Sequence, residues 1–499
     1  MRLPRRPRRF AALLLTPFLA GCFASTGAGG GAADGEDGSR LRVALAFPPA
    51  ENLSPYGADA TILSRLGVTE GLTALDANGA ATPALAASWR REDDRTWLFT
   101  LREAVFQDGT AVTPAAVVNA LTRATRAEPV PAALSGVTLT AKAAGTTGVR
   151  ITTTAPDAVL PLRLAGPSLA VLAPGAYEEK GAVDPVGTAT GPFELTEVTG
   201  TTAAGLDRFD DHWGGRAHAP GIDARFIADG TARANALRTG QVDLAEAIPV
   251  AQAATLDADT RRETATTRTT SLFLNTRSDV FADPALRAAA RAAVDTAALA
   301  EGVYEGHADA GAGLYGPAVT WADGKRARPA GRAKPGNPDG ASLTLATYDN
   351  RPELPEAAQV VKQQLEKAGF TVKLEVREYA RLESDALAGK FDAFVGARNS
   401  LLDTGDPVSL LAGDFTCDGG YNLALLCDKA VDRAVAAAQG TAGTGERQEA
   451  ALTAEAAVLG TDAVVPLVHQ RVVTGVAADV RGVLLDPYER TLVGAGTRR

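Results

Sequence analysis

Four histidines and three cysteines are all that 499 residues offer for soft metal coordination. His212, His218, His307 and His469 stand at no ligand spacing of the H-E-x-x-H kind, so no metal site is expected. The chain also lacks a G-x-S-x-G elbow, a G-x-x-x-x-G-K-[ST] phosphate loop and a nucleotide fingerprint behind a strand. Without an activated nucleophile, a metal or a cofactor, the reading is a protein that is not an enzyme, and any ATP is hydrolysed by a partner. After residue 22 no apolar run reaches the ~18 residues of a spanning helix, because Arg, Asp or Glu interrupts every Ala-rich stretch. Positive charge is short as well: the net charge of -9 and a pI near 5.2 argue against nucleic acid as a partner.

What is present begins with a hydrophobic share of 45% in a chain too long for one core, so two or more lobes are expected. Arg2, Arg5, Arg6, Arg8 and Arg9 precede a short apolar run from Phe10 to Ala20, the pattern of a signal peptide over residues 1–21. Leu19-Ala20-Gly21-Cys22 resembles a bacterial lipobox, which implies lipidation of Cys22; the alternative is an ordinary signal peptide with a coincidental Cys. Lipid on Cys22 would hold the chain on the outer face of the cell membrane without spanning it. Residues 22–40 are Gly, Ala, Ser and acids with little to bury, and read as a flexible tether. Removing the leader takes away five arginines and no acid, shifting the charge from -9 to -14. The export route, general or twin-arginine, stays open. In the oxidising exterior a disulfide between Cys417 and Cys427 is the favoured reading, and metal binding by the two the weaker one.

Short β-type runs alternate with amphipathic helices, the pattern of α/β lobes. Residues 41–47 (LRVALAF) read as a strand, and Trp97, Phe99 and Leu101 alternate on one face of another. Thr113-Pro114 and Asp283-Pro284 are helix starts. The second opens a helix expected to bury Leu286, Ala290, Ala293, Val294 and Ala297, with Arg287, Arg291 and Asp295 on another face. LTLATY (343–348), a helix through Val360, Val361 and Leu365 ending at Gly369, and TVKLEV (371–376) form a βαβ unit. Residues 322–341 read as an exposed loop within a lobe.

The run from Ser64 to Arg123 resembles the extracellular solute-binding protein family 5, the peptide, dipeptide and nickel-chelate receptors of ABC importers. The resemblance is carried by Glu70-Gly71-Leu72, Pro83-Ala84-Leu85-Ala86 with Ser88-Trp89, Phe99-Thr100-Leu101-Arg102 and Phe106-Gln107-Asp108-Gly109-Thr110, in order and in register. Thr190-Gly191-Pro192-Phe193, Asp211-His212-Trp213-Gly214-Gly215, Leu237 to Asp243, Leu274-Asn275-Thr276 and Phe391-Asp392-Ala393 extend it over about residues 41–486. It implies an α/β, two-lobed periplasmic-binding-protein clamshell (type II) with an extra subdomain in the first lobe. On that reading the first lobe comprises 41–270 and 466–499, with the subdomain at about 71–185, and the second lobe 271–465. A ligand that touches both lobes stabilises only the closed form, which an importer can then recognise.

Peptide receptors of the family place a carboxylate in a pattern of Asp, three residues, then Pro, to meet the ligand ammonium. Asp403-Thr404-Gly405-Asp406-Pro407 fits and nominates Asp403; the alternative is an Asp capping the turn before Pro407. Arg398 is nominated to fork onto a ligand carboxylate, against the alternative of a surface Arg. Tyr56, just past the first strand, is a candidate wall residue, and Asn275 a candidate for main-chain pairing with an extended ligand; either could serve its own lobe instead. Thr404 stands where an aromatic residue is common, which keeps a nickel chelate or an oligosaccharide in play beside short peptides. The expected partners are a small solute, an ABC permease and its ATPase subunits, and the chain is expected to be a monomer. A surface peptide sensor or chaperone is the alternative of another class.

Overall fold

The computed structural model describes residues 38–128, 130–177, 183–349 and 351–499. The expected signal peptide, Cys22 and the tether up to residue 37 lie outside the described residues. In chain order the described strands are β1 (Leu41–Leu45), β2 (Thr73–Leu75), β3 (Ala81–Pro83), β4 (Ala86–Arg91), β5 (Thr96–Leu101), β6 (Leu139–Ala144), β7 (Gly148–Thr153), β8 (Phe193–Thr199) and β9 (Ala203–Arg208). They continue with β10 (Gly221–Phe226), β11 (Leu244–Ile248), β12 (Arg261–Leu274), β13 (Ala308–Ala310), β14 (Ser342–Tyr348), β15 (Thr371–Arg377), β16 (Ala393–Asn399) and β17 (Val464–Val476).

One large sheet runs in the order β15-β14-β16-β12-β17-β11-β1-β10-β9-β8, with β13 on the side of β17. Its middle is the long antiparallel pair β12 and β17. On each side lies a parallel trio, β11-β1-β10 on one and β15-β14-β16 on the other. The chain thus passes from one half to the other along β12 and returns along β17. Each trio has its own core: Leu41, Val43, Leu45, Ile222 and Leu244 in the first, Leu345, Val361, Leu365 and Val395 in the second. Strands covered on both faces read as near-continuous apolar runs, as LRVAL of β1 does.

The βαβ unit forms as its pattern requires. β14 and β15 pair in parallel from Ser342 opposite Thr371 to Tyr348 opposite Arg377, joined by the helix Glu353–Lys367. Gly369, at φ 106, supplies the left-handed turn that ends this helix. Thr113 caps the helix Pro114–Ala124 through a bond from the Ala116 amide, 3.2 Å. That helix covers a separate sheet in the order β4-β5-β7-β6, where Phe99, Leu101, Val149 and Ile151 meet Val117 and Leu121. Gln107 ties this unit to the large sheet by donating to the Gly191 and Phe193 carbonyls, both at 3.0 Å.

The helix from Asp283-Pro284 departs from expectation. It ends at Ala293, Val294 takes an extended conformation, and Asp295 caps a new helix, Thr296–Gly302, by accepting from the Ala298 amide at 3.0 Å. A capping Asp prefers non-helical backbone, and that local preference breaks the longer period. Arg287 is buried rather than on an outer face, and donates to the Thr461, Phe281 and Ala282 carbonyls. Among the described residues no helix is long and apolar enough to cross a membrane.

Candidate functional site

In open α/β sheets the carboxyl ends of parallel strands leave main-chain ends and loops free to build a ligand crevice. Here β1 runs out at Phe47, β11 at Ala247 to Val250, β14 at Asp349 and Arg351, and β16 at Ser400 to Asp403. A cavity of about 280 Å³ lies among the first three of these ends, beside Gln470 to Val473 of β17. A second of about 50 Å³ adjoins it and is lined by Arg65, Glu246, Leu484, Leu485 and Glu489 among others. Both are lined by Phe47, Ala247, Arg351 and Val472, and they make one recess where the two halves of the sheet meet. The larger volume is close to the roughly 300 Å³ at which small-molecule pockets begin. Phe47, Leu484 and Leu485 are apolar and 42%, 41% and 38% exposed, so part of the wall is greasy.

Beside the recess a cluster of charged side chains converges on Glu489. Arg65, from the helix Ala60–Arg65, pairs with Glu246 at 2.5 Å and with Glu489 at 3.6 Å, and its Nε donates to the Glu489 carbonyl at 2.8 Å. Arg268 of β12 forks onto both carboxylate oxygens of Glu489 at 3.0 and 3.1 Å, and Asn399 Nδ2 donates to the same carboxylate at 3.1 Å. Glu246 is held in turn by the Ala46 amide at 2.9 Å. Burial works against the Glu489 charge, yet Arg268, Arg351 and Arg65 together pull its carboxyl down to about 2. Arg351 is different. Half-buried above the Phe47 ring, 5.8 Å from its centroid, it has no hydrogen-bond or ion-pair partner among the described residues. Desolvation, and then the like charge of Arg268, lower its pKa from the ordinary value. Around Glu489, then, three guanidiniums converge on two carboxylates, while Asp229, Asp349, Glu353 and Asp486 add acids to the lining of the wider recess.

Past β16 three guanidiniums, Arg398, Arg447 and Arg490, stand among three carboxylates, Asp403, Asp406 and Asp414. Arg398 forks onto Asp414 at 2.7 and 3.0 Å and lies over the ring of Tyr421, 4.0 Å from its centroid. Asp406 is wholly buried and forked by Arg447, both bonds 2.8 Å, so the second Asp of the Asp403 to Pro407 motif is structural. Asp403 is exposed, and its carboxylate has no partner among the described residues. Its loop is held by Arg490, which donates to the Leu401, Leu402 and Ala165 carbonyls at 2.8, 2.7 and 3.1 Å. Gly166 packs so closely against it that a Cβ there would stand 2.5 Å from the main-chain carbonyl oxygen of Asp403.

Of the residues nominated from sequence, Asp403 and Arg398 come together past β16, but Arg398 is engaged by Asp414 rather than free for a ligand. None of the four lines either cavity. Tyr56 packs on the core of the four-stranded sheet, and burial pushes its hydroxyl, beside Arg123 and Tyr177, up to about 12. Asn275 lies elsewhere. It follows β12, whose last residue Leu274 pairs with Ala393 at the start of β16, so it lies a strand length, about 20 Å, from Asp403's end of that strand. Its side chain donates to the Phe391 and Gly389 carbonyls at 2.9 and 3.3 Å and accepts from the Arg277 amide. Cys417 and Cys427 are joined by a disulfide. Among the described residues no group of three or more His, Cys, Asp or Glu could hold a metal. The charges missed from sequence are Arg65, Glu246, Arg268, Arg351 and Glu489.

The sheet, its double crossover and a crevice at strand ends define a two-lobed periplasmic binding protein. Solved structures carry the same fold: NikA from Staphylococcus aureus in complex with Ni(L-His)2, at 19% identity and TM-score 0.77, covers 92% of this chain and all of that one. DppA from Helicobacter pylori in complex with the peptide STSA, at 19% identity and TM-score 0.77, covers 93% of this chain and 98% of that one. The chain belongs to the bacterial extracellular solute-binding proteins, family 5, whose model matches residues 80–422. It is 27% identical over 468 residues to the glutathione-binding protein GsiB of Salmonella paratyphi A, across 87% of this chain and 90% of that protein. The family supplies the periplasmic or extracellular substrate-binding component of ABC transporters, which delivers small solutes or peptides to the permease, and is not a family of enzymes.

Proposed function

We propose that this chain is a lipid-anchored receptor that captures short peptides between its lobes for an ABC importer. The observation that carries this reading is a pair of unmatched charges of opposite sign on neighbouring strand ends, Arg351 past β14 and Asp403 past β16. A short peptide is a zwitterion with an apolar body. Its carboxylate suits Arg351, its ammonium suits Asp403, and Phe47, Leu484 and Leu485 suit side chains between them. Similarity to a glutathione-binding protein supports a peptide cargo, and likeness to a nickel-histidine receptor keeps an amino-acid chelate as the second reading. The first lobe is read as residues 41–270 and 466–499 and the second as 271–465, so that the lobes exchange chain within β12 and β17. Cys22 is read as the lipidated residue, holding a monomer at the outer face of the membrane.

Calorimetric titration against di- to hexapeptides, nickel-histidine and oligosaccharides tests the cargo. The expected result is binding of peptides with free termini, weakened about tenfold in Asp403→Ala, a loss of about 1.4 kcal/mol. Binding of a chelate or a sugar alone would overturn the peptide reading.

A further inference from the structure

Arg398 lies at the end of β16 and Asp403 in the loop that follows it, with opposite charges, and two guanidiniums act on Asp403: Arg490, which is committed to the Leu401, Leu402 and Ala165 carbonyls, and Arg398, which also faces Asp414. The Arg398 guanidinium goes to Asp414, for reasons that can be read from the packing. Asp414 is 3% exposed and lies in the last turn of the helix Pro407–Phe415, where the helix dipole disfavours a carboxylate, so it requires a cation. The Tyr421 ring backs the other face of the guanidinium, and that ring is fixed. The Tyr421 amide donates to the Gly413 carbonyl at 3.0 Å, its hydroxyl meets that of Tyr379, and the Cys417–Cys427 disulfide closes the loop that carries it. Asn422, next in sequence, bonds the Thr416 and Leu426 carbonyls at 3.0 and 2.7 Å.

We propose that Asp414 sets the charge requirement of the ligand at Asp403: by closing Arg398 into a buried fork it keeps that guanidinium off Asp403, so only a cationic group of the ligand can meet the exposed carboxylate. Asp414 is a positioning residue that acts through Arg398 and touches no ligand itself. Without it, Arg398 turns to Asp403, the strand end becomes self-neutralised, and a ligand ammonium gains nothing there. The inference rests on the reading that Asp403 receives the amino end of a peptide.

The test compares trialanine with N-acetyl-trialanine on the full chain by calorimetry, and reads the ratio of the two affinities. Loosening of structure lowers both affinities together, whereas removal of the mask changes their ratio. The wild type is expected to prefer the free amine by tenfold or more, and Asp403→Asn to lose that preference. Asp414→Asn is expected to bring the ratio within twofold of one, and Arg398→Met with Asp414→Leu, which removes both charges, to recover a preference of at least fivefold. Should Asp414→Asn fail to fold, Arg398→Lys with Asp414→Leu leaves a lone flexible cation and carries the same expectation of a lost preference. A wild type without the preference overturns the role of Asp403 and this inference together. A preference lost in Asp403→Asn but kept in a folded Asp414 variant that retains a cation at 398 overturns the masking alone.

Discussion

Beside Glu489 the guanidinium left without a hydrogen-bond or ion-pair partner among the described residues is Arg351; past β16, where Arg398, Arg447 and Arg490 stand among Asp414, Asp406 and Asp403, the carboxylate left without one is Asp403. In both places the buried acids are matched first. Glu489, Glu246 and Asp414 sit in low dielectric, where an unpaired charge is costly, and each takes an arginine. The groups left without a direct partner are a cation in one place, Arg351, and an anion in the other, Asp403. On the proposed reading, ligand polarity follows from which groups are left without a direct partner, and each place can be unbalanced separately.

The largest effect is expected at Glu489. Glu489→Gln strips Arg268 and Arg65 of a buried partner and should lower stability by about 3–5 kcal/mol in chemical denaturation at pH 7. Because the folded carboxyl is depressed to about 2 from an ordinary 4.5, its contribution is complete above pH 4.5 and is lost as pH falls toward 2. Wild type should therefore lose about 3 kcal/mol more than Glu489→Gln between pH 5 and 2. Parallel pH profiles for the two would show that Glu489 is not held by the arginines.

Arg351→Met should separate binding from stability. The guanidinium is disfavoured by burial and by Arg268, so its removal is expected to leave the unfolding midpoint unchanged or raised. Affinity for peptides with a free carboxyl should fall by about 2–4 kcal/mol, and C-amidated peptides should lose a similar amount on the wild type. If amidation cost nothing on the wild type, the cation at this end would have another use.

The architecture was legible because it is written in local patterns. The spacing of LTLATY, the helix to Gly369 and TVKLEV needed no tertiary information, and β14, its helix and β15 form as read. Where local rules compete, the reading failed: the period through Val294 and Ala297 suggested one helix, but Asp295 stops and restarts it. Asp403 could be nominated because its motif is contiguous. Arg65, Arg268 and Glu489 come from positions more than two hundred residues apart, and only the fold reveals that they share a carboxylate. Arg351 carried one usable signal, since a charge three residues beyond a strand of a βαβ unit lies where α/β crevices form. Arg398 was found for the wrong partner, because Asp414 is a full helix away in sequence and its burial is invisible there.

Asn275 gives the smallest effect and the cleanest contrast. It was nominated beside Asp403, yet it caps the opposite end of the strand pair β12 and β16, and its amide is fully used by the Gly389 and Phe391 carbonyls. Asn275→Ala leaves the buried Phe391 carbonyl and the half-buried Gly389 carbonyl without that donor, and a loss of about 1–3 kcal/mol in stability is expected. Peptide affinity should stay within twofold of wild type, since no residue of the recess touches it. A selective fall in affinity at unchanged stability would instead mean that ligand reaches the far end of β16, and that Arg351 and Asp403 mark only part of the site.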